Sequence, residues 1–107
     1  MNILFVCSRN QWRSPTAEAI FRGHPGLNVR SAGTEPSART RLNAKSIAWA
    51  DMVFVMEKKH RQRMQEKFPQ ETAEKRIIVL DIPDDYRYMD PELLEEIRTK
   101  VEVYIQQ

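Results

Sequence analysis

The stretch Asn2-Ile3-Leu4-Phe5-Val6-Cys7-Ser8-Arg9-Asn10-Gln11-Trp12-Arg13-Ser14-Pro15-Thr16-Ala17-Glu18 decides the fold of this chain. Ile3 to Val6 is an unbroken apolar run, the pattern of a strand buried on both faces. It gives way to a polar loop at Cys7, the only cysteine in the sequence. Ser14 offers a hydroxyl that can cap a helix, and Pro15 suits a first helical position, where its missing N–H has no partner anyway. Strand, short loop and helix are the opening unit of a parallel α/β sheet. Its loop lies at the carboxyl end of the first strand, where such sheets bind ligands.

Outward from that unit the chain keeps alternating. Short apolar runs predict strands at Asn2–Val6, Leu27–Arg30, Met52–Val55 and Arg76–Leu80. Helical patterns are expected at Pro15–Arg22, Ala38–Trp49, Glu57–Phe68 and Pro91–Gln106. In the last, Leu93, Leu94, Ile97, Val101, Tyr104 and Ile105 form one stripe, and Asp90-Pro91 marks its start. Gly23, Pro25, Gly26, Gly33, Pro36, Pro69 and Pro83 fall between elements. The expectation is one domain over residues 1–107, an α/β three-layer sandwich around a four-stranded parallel sheet of flavodoxin-like topology, with right-handed crossovers. The loops after the first and fourth strands then project from one edge, which brings Cys7 and Asp84 together.

The first loop has the make-up of a phosphate site. A tetrahedral dianion needs many converging donors, and the backbone N–H groups of Ser8, Arg9, Asn10, Gln11, Trp12 and Ser14, curling into a helix N-terminus, supply them. Arg13 adds a planar two-pronged donor matched to two phosphate oxygens. The same positive field favours a thiolate over a thiol, the nucleophilic form. Ser14 can donate to the sulfur. A lone buried cysteine is more often an inert core residue. Eleven of 107 residues are arginine, so an arginine six after a cysteine arises by chance about once in ten. The preceding strand and the Ser-Pro helix start are what lift this pair above that background.

The segment resembles the phosphate loop of the low-molecular-weight protein tyrosine phosphatases, C-x(5)-R-S-P near the N-terminus, with Cys7, Asn10, Arg13, Ser14, Pro15, Ala17 and Glu18 matching. Val29-Arg30-Ser31-Ala32-Gly33-Thr34 is similar to that family's second strand and its S-A-G-T continuation. Ile82-Pro83-Asp84-Asp85-Tyr86 lies where the family carries its D-P-Y acid loop. The resemblance implies a cysteinyl-phosphate mechanism with Cys7 as nucleophile, Arg13 as phosphate clamp, Asp84 as general acid and Tyr86 as its aromatic neighbour. Pro83 precedes the aspartate instead of following it, which keeps Asp85 as a second candidate. Asp90 reads as a helix cap and Asp81 as a strand end. Trp12, Tyr86 and Tyr88 are candidates for an aromatic pocket rim.

The departures from the family carry information too. Arg9 stands where a glycine is usual, and Trp12 stands where many members have a second cysteine. With one thiol, no intramolecular disulfide can form and the electron relay of the arsenate-reductase branch has no carrier. The span from Thr34 to Asp51 is shorter than in longer relatives, which implies the loss of a helical segment there. Three readings stay open: a phosphatase for phosphotyrosine or small aryl phosphates, a cysteine phosphocarrier, and a phosphate-binding module. Within the first, protein phosphoarginine is a rival substrate, since relatives that prefer it have a small polar residue where Gln11 stands.

Composition sets the remaining bounds. Hydrophobic residues at 41% and charged residues at 30% are ordinary globular values. No apolar run reaches the ~20 residues that span a bilayer, and no membrane association is expected. The N-terminal apolar run is too short for a signal peptide, and a single free cysteine suits a reducing compartment, so a cytoplasmic monomer is expected. Net charge is +2, unevenly spread: residues 1–80 hold 14 basic and 7 acidic side chains, residues 81–107 hold 3 and 8. Arg39, Arg41, Lys58, Lys59, Arg61 and Arg63 lack interleaved aromatics, so no nucleic-acid site is read there. His60 falls in helical register with Met64 and Phe68 and reads as part of a packed stripe, and His24 reads as a turn residue. Two histidines and one distant cysteine make no metal site, and no cofactor is implied.

Overall fold

Along the first strand, Ile3, Phe5 and Cys7 face one side of the sheet while Leu4 and Val6 face the other, and this parity divides the core in two. The computed structural model describes residues 1–105. It contains β1 (Asn2–Cys7), α1 (Arg13–Phe21), β2 (Asn28–Gly33), α2 (Ala44–Trp49), β3 (Met52–Val55), α3 (Lys58–Lys67), α4 (Pro69–Thr72), β4 (Arg76–Val79) and α5 (Pro91–Ile105). The four strands pair in parallel in the order β2-β1-β3-β4. β2 lies on one side of β1, and β3 and β4 lie on the other, so the loop after β1 sits at the switch point of strand order.

Each face is closed by helices. Ala17 and Phe21 of α1 and Leu93, Ile97 and Val101 of α5 cover the side of Ile3, Phe5, Met52 and Phe54. Ile47 of α2 and Met64 of α3 cover the side of Leu4, Val6, Val53 and Val55. The expected three-layer α/β sandwich with a four-stranded parallel sheet is therefore the fold found. Phe5 stacks between Phe21 at 5.9 Å and Phe54 at 5.5 Å between ring centroids. Truncating such a buried ring to alanine costs about 3–5 kcal/mol.

Several boundaries differ from the sequence expectation, the larger ones for a reason in long-range bonding. β2 runs three residues past Arg30, because Ser31, Ala32 and Gly33 stay in register with Phe5, Val6 and Cys7. The helix expected from Ala38 begins only at Ala44, where Asn43 caps it by accepting from Ser46 N–H at 2.8 Å. The residues before it form a strap instead: Gly33 N–H donates to Thr40 O at 2.8 Å, Leu42 N–H to Gly33 O at 2.9 Å and Arg39 N–H to Arg9 O at 3.1 Å. α1 starts two residues before Pro15, and α3 stops at Lys67, with the short α4 opening on Pro69. Glu92 N–H bonds Asp90 Oδ1 at 2.9 Å, the cap read from the sequence. Gln106, placed in the last helix by pattern, lies outside the described residues.

Candidate active site

Between β1 and α1 the chain must turn sharply, and Asn10 takes the left-handed conformation, φ 56°, that asparagine tolerates better than most residues. The turn brings Asn10 N–H to Cys7 Sγ at 3.3 Å. Behind the loop runs a chain of hydrogen bonds with one direction. Ser31 Oγ lies 2.5 Å from Glu18 Oε1, and a carboxylate only accepts, so the serine donates. Ser31 must then accept from the Asn10 amide at 2.9 Å, and the second N–H of that amide donates to Ser14 Oγ at 2.9 Å. Ser14 is left to donate its own hydrogen, for which Cys7 Sγ at 2.9 Å is a nearer acceptor than Ala32 O at 3.4 Å. The sulfur thus lies within reach of two donors, the Asn10 N–H and the Ser14 hydroxyl. Ser14 serves the thiol and not the helix end: α1 has no side-chain cap, with Trp12 at its N-cap position.

Gly33 is required by close approach. A Cβ there would stand 2.6 Å from both Ser8 O and Ala38 Cβ and 2.9 Å from Asn10 N.

Arg13 opens α1 and is only 2% exposed. Its Nη1 donates to Ile82 O at 2.8 Å and to Glu57 Oε2 at 2.5 Å, and its Nε lies 3.7 Å from Asp84 Oδ1. Burial by itself would raise the Glu57 carboxyl, but the hydrogen bond and charge of Arg13, with Lys59 beside it, hold it below the usual carboxylate range. On the other side of Glu57, its backbone N–H donates to His60 Nδ1 at 3.0 Å, and His60 Nε2 meets Ser8 Oγ at 2.9 Å. Burial, then the nearby Arg13 charge, lowers the His60 pKa to about 4.

Beside these side chains lies a cavity of about 260 Å³. Of the residues expected at the site, Cys7, Ser8, Arg9, Gln11, Trp12, Arg13 and Asp84 line it, while Asn10 and Ser14 lie beneath its floor. Trp12, 41% exposed, stands at the mouth. Tyr86 is not among the lining residues. Its ring packs against the core under α5 and its hydroxyl donates to Glu96 Oε2 at 2.9 Å, a bond that raises its pKa. The position expected to supply an aromatic wall therefore serves the α5 contact instead.

Glu35 and Lys59 also line the cavity, and neither they nor Glu57 stood out in the sequence. Arg9 Nε bonds Glu35 Oε2 at 3.3 Å, which ties the unusual arginine down at the rim. His60 does sit in the packed stripe with Met64, both fully buried, yet it also has polar partners on both ring nitrogens. The one sequence signal was the Glu57-to-His60 spacing, that of an N-cap and its third residue, with histidine where a capping box has Glu or Gln.

The family model for low molecular weight phosphotyrosine protein phosphatase matches residues 2–49. The low molecular weight protein-tyrosine-phosphatase Wzb of Escherichia coli K12 is 30% identical over 115 residues, covering 80% of this chain and 78% of that protein. The chain belongs to the low-molecular-weight protein-tyrosine-phosphatase family. A protein-arginine-phosphatase of Bacillus subtilis is 36% identical over 95 residues, covering 64% of this chain and 63% of its own length. The crystal structure of Wzb from E. coli K30, in complex with phosphate, shares the fold with a TM-score of 0.80 at 20% identity, over 98% of this chain and 96% of that one. This member of the family is thus a phosphatase, a hydrolase of phosphorylated substrates. Among its described residues no helix is long and apolar enough to cross a membrane.

Proposed function

We propose that this phosphatase hydrolyses phosphotyrosine, in proteins or as small aryl phosphates, through a cysteinyl-phosphate intermediate. Cys7 attacks phosphorus in line while the loop amides and Arg13 hold the equatorial oxygens. Asp84 gives its proton to the departing phenolic oxygen. The resulting carboxylate then takes a proton from the water that breaks the S–P bond and releases phosphate. The observation that carries this reading is the sulfur itself: at the floor of the cavity it accepts from Ser14 and Asn10, with the buried guanidinium of Arg13 in the same wall.

Other features support the assignment of roles. Nη1 of Arg13 is held by Glu57 and Ile82, which leaves the Nη2 and Nε edge for two phosphate oxygens. Asp84 lines the cavity 3.7 Å from Arg13, whereas Asp85 is not among the lining residues, and this favours Asp84 as the acid. Trp12 at the mouth offers a face for an aryl ring. An acid beside the thiol has little use in a phosphocarrier or a passive binding module. We place the enzyme as a cytoplasmic monomer of one domain, where its unpartnered thiol stays reduced.

Phosphoarginine is the second reading. It draws on the arginine-phosphatase relative and on the carboxylates of Glu35 and Asp84 in the cavity wall, which suit a guanidinium. The two are separated by kcat/KM on a phosphotyrosine peptide and a phosphoarginine peptide of the same sequence. The proposal expects tyrosine to be favoured. A preference for arginine would transfer the assignment, and no turnover of either would remove it.

A further inference from the structure

His60 is fully buried and takes no part in the reaction as described, yet both of its ring nitrogens are committed. The Glu57 backbone N–H can only donate, so the Nδ1 it meets at 3.0 Å must be the bare, accepting nitrogen. A neutral ring then carries its hydrogen on Nε2, and Ser8 Oγ at 2.9 Å must accept it. The ring is neutral at ordinary pH, because burial and the charge of Arg13 lower its pKa to about 4. Protonation would break the Glu57 bond and set a cation against Arg13, Lys59 and Arg63, with only the Glu57 carboxylate to offset them. Among the described residues the Ser8 oxygen has no other side-chain partner, and Ser8 lines the cavity beside Cys7 and Arg13.

We infer that His60, by locking this tautomer, keeps the Ser8 hydrogen free for donation to the anion in the cavity. Ser8 then binds the phosphoryl group through its side chain as well as its backbone, and His60 is its positioning residue. A ring with its hydrogen on Nδ1 would accept the Ser8 hydrogen and leave only lone pairs for a dianion; this tautomer donates to Ser8 and leaves the serine's hydrogen for the anion. The inference rests on the phosphatase reading of the cavity and adds to it a side-chain contact with the transferred group and a residue that acts through another.

Two measurements test it together. Nitrogen-15 NMR of histidine-labelled wild-type protein should show His60 with a pyridine-type Nδ1 and a pyrrole-type Nε2, with and without inorganic phosphate. Competitive inhibition of p-nitrophenyl phosphate hydrolysis by inorganic phosphate should weaken roughly tenfold or more in Ser8→Ala, the loss of one charge-assisted hydrogen bond. Ser8→Thr, which keeps the hydroxyl, should return to within about threefold of wild type, and thermal midpoints show that both variants are folded. A hydrogen on Nδ1, or an unchanged inhibition constant in Ser8→Ala beside an active wild type, overturns this inference alone. A wild type that neither turns over the ester nor binds phosphate overturns it together with the phosphatase reading.

Discussion

Residues 7–14 and residues 81–90 border the same cavity, but the two are held in different ways. In the first, Cys7, Asn10, Arg13 and Ser14 are buried, and each is fixed by partners from β2, α1 or the β3–α3 junction. In the second, the Asp84 side chain is 58% exposed and Tyr88 and Met89 face solvent. Past Ile82, which is held by Met56 O and by Arg13, its ties to the rest of the chain are mostly side-chain ones: Asp84 to Arg13, Tyr86 to Glu96, and Met89 N–H to Thr16 Oγ1. In the proposed mechanism the anion-binding half is thus built before substrate arrives, whereas the half that would deliver the proton can adjust to it. Changes in the first half should be severe on every substrate. Changes in the second should depend on the leaving group.

Arg13→Lys is the largest expected effect. A lysine keeps the charge but cannot hold Ile82 and Glu57 with one nitrogen while offering an edge to two oxygens. Steady-state kinetics should show kcat reduced on the order of 10²–10³-fold for both phosphotyrosine and p-nitrophenyl phosphate. A loss confined to one substrate would erase the contrast between the two regions.

Asp84→Asn comes next. A general acid matters most when the leaving oxygen is basic, so the loss should be about 10²-fold or more on phosphotyrosine and much smaller on p-nitrophenyl phosphate. Asp85→Asn should show a small loss that is the same for both. If the two variants exchange behaviour, Asp85 is the acid and the loop closes in another register.

Gly33→Ala probes how tightly the first region is built, since the new methyl has no room against Ser8 O and Ala38. Overpacking of this kind costs about 1–3 kcal/mol, and the thermal midpoint should fall by on the order of 5–15 °C. An unchanged midpoint would mean that the loop gives way easily, contrary to the rigidity assigned to it.

A pH dependence of stability is the effect that leaves activity at neutral pH untouched. The His60 pKa is about 4 when folded against 6.5 ordinarily, so between those values the unfolded chain binds more protons. Stability should therefore fall as the pH drops through that window, by up to roughly 3 kcal/mol, with no contribution from this ring above it. Glu57 adds to the loss at lower pH: its folded carboxyl is held below the ordinary 4.5, so its contribution is present above that value and disappears as pH falls through the folded one. Urea midpoints at pH 7 and pH 4.5 measure the change, and a His60→Gln variant should flatten most of it.

What the sequence revealed follows the same division. β1, the thiol loop and the start of α1 are contiguous, so residue type and spacing alone announce them, and the alternation of apolar runs with helical patterns leads to the parallel sandwich. Residues 38–42 of the strap read as helical because its defining bonds go to Gly33 and Arg9, which local pattern does not register. His60 and Glu57 were passed over for a similar reason: their polar partners, Ser8 and Arg13, lie 52 and 44 residues away. Tyr86 was placed at the cavity from its neighbours in sequence, while its orientation is set by Glu96 on α5.

The central claim, that the Cys7 sulfur is the nucleophile of a working phosphatase, meets its most direct test in the turnover of p-nitrophenyl phosphate by wild type and Cys7→Ser. The account predicts saturable hydrolysis by the wild type, competitive inhibition by phosphate, and a variant that folds but stays at the background rate. Comparable turnover by the serine variant, or background rates in both proteins, would contradict it.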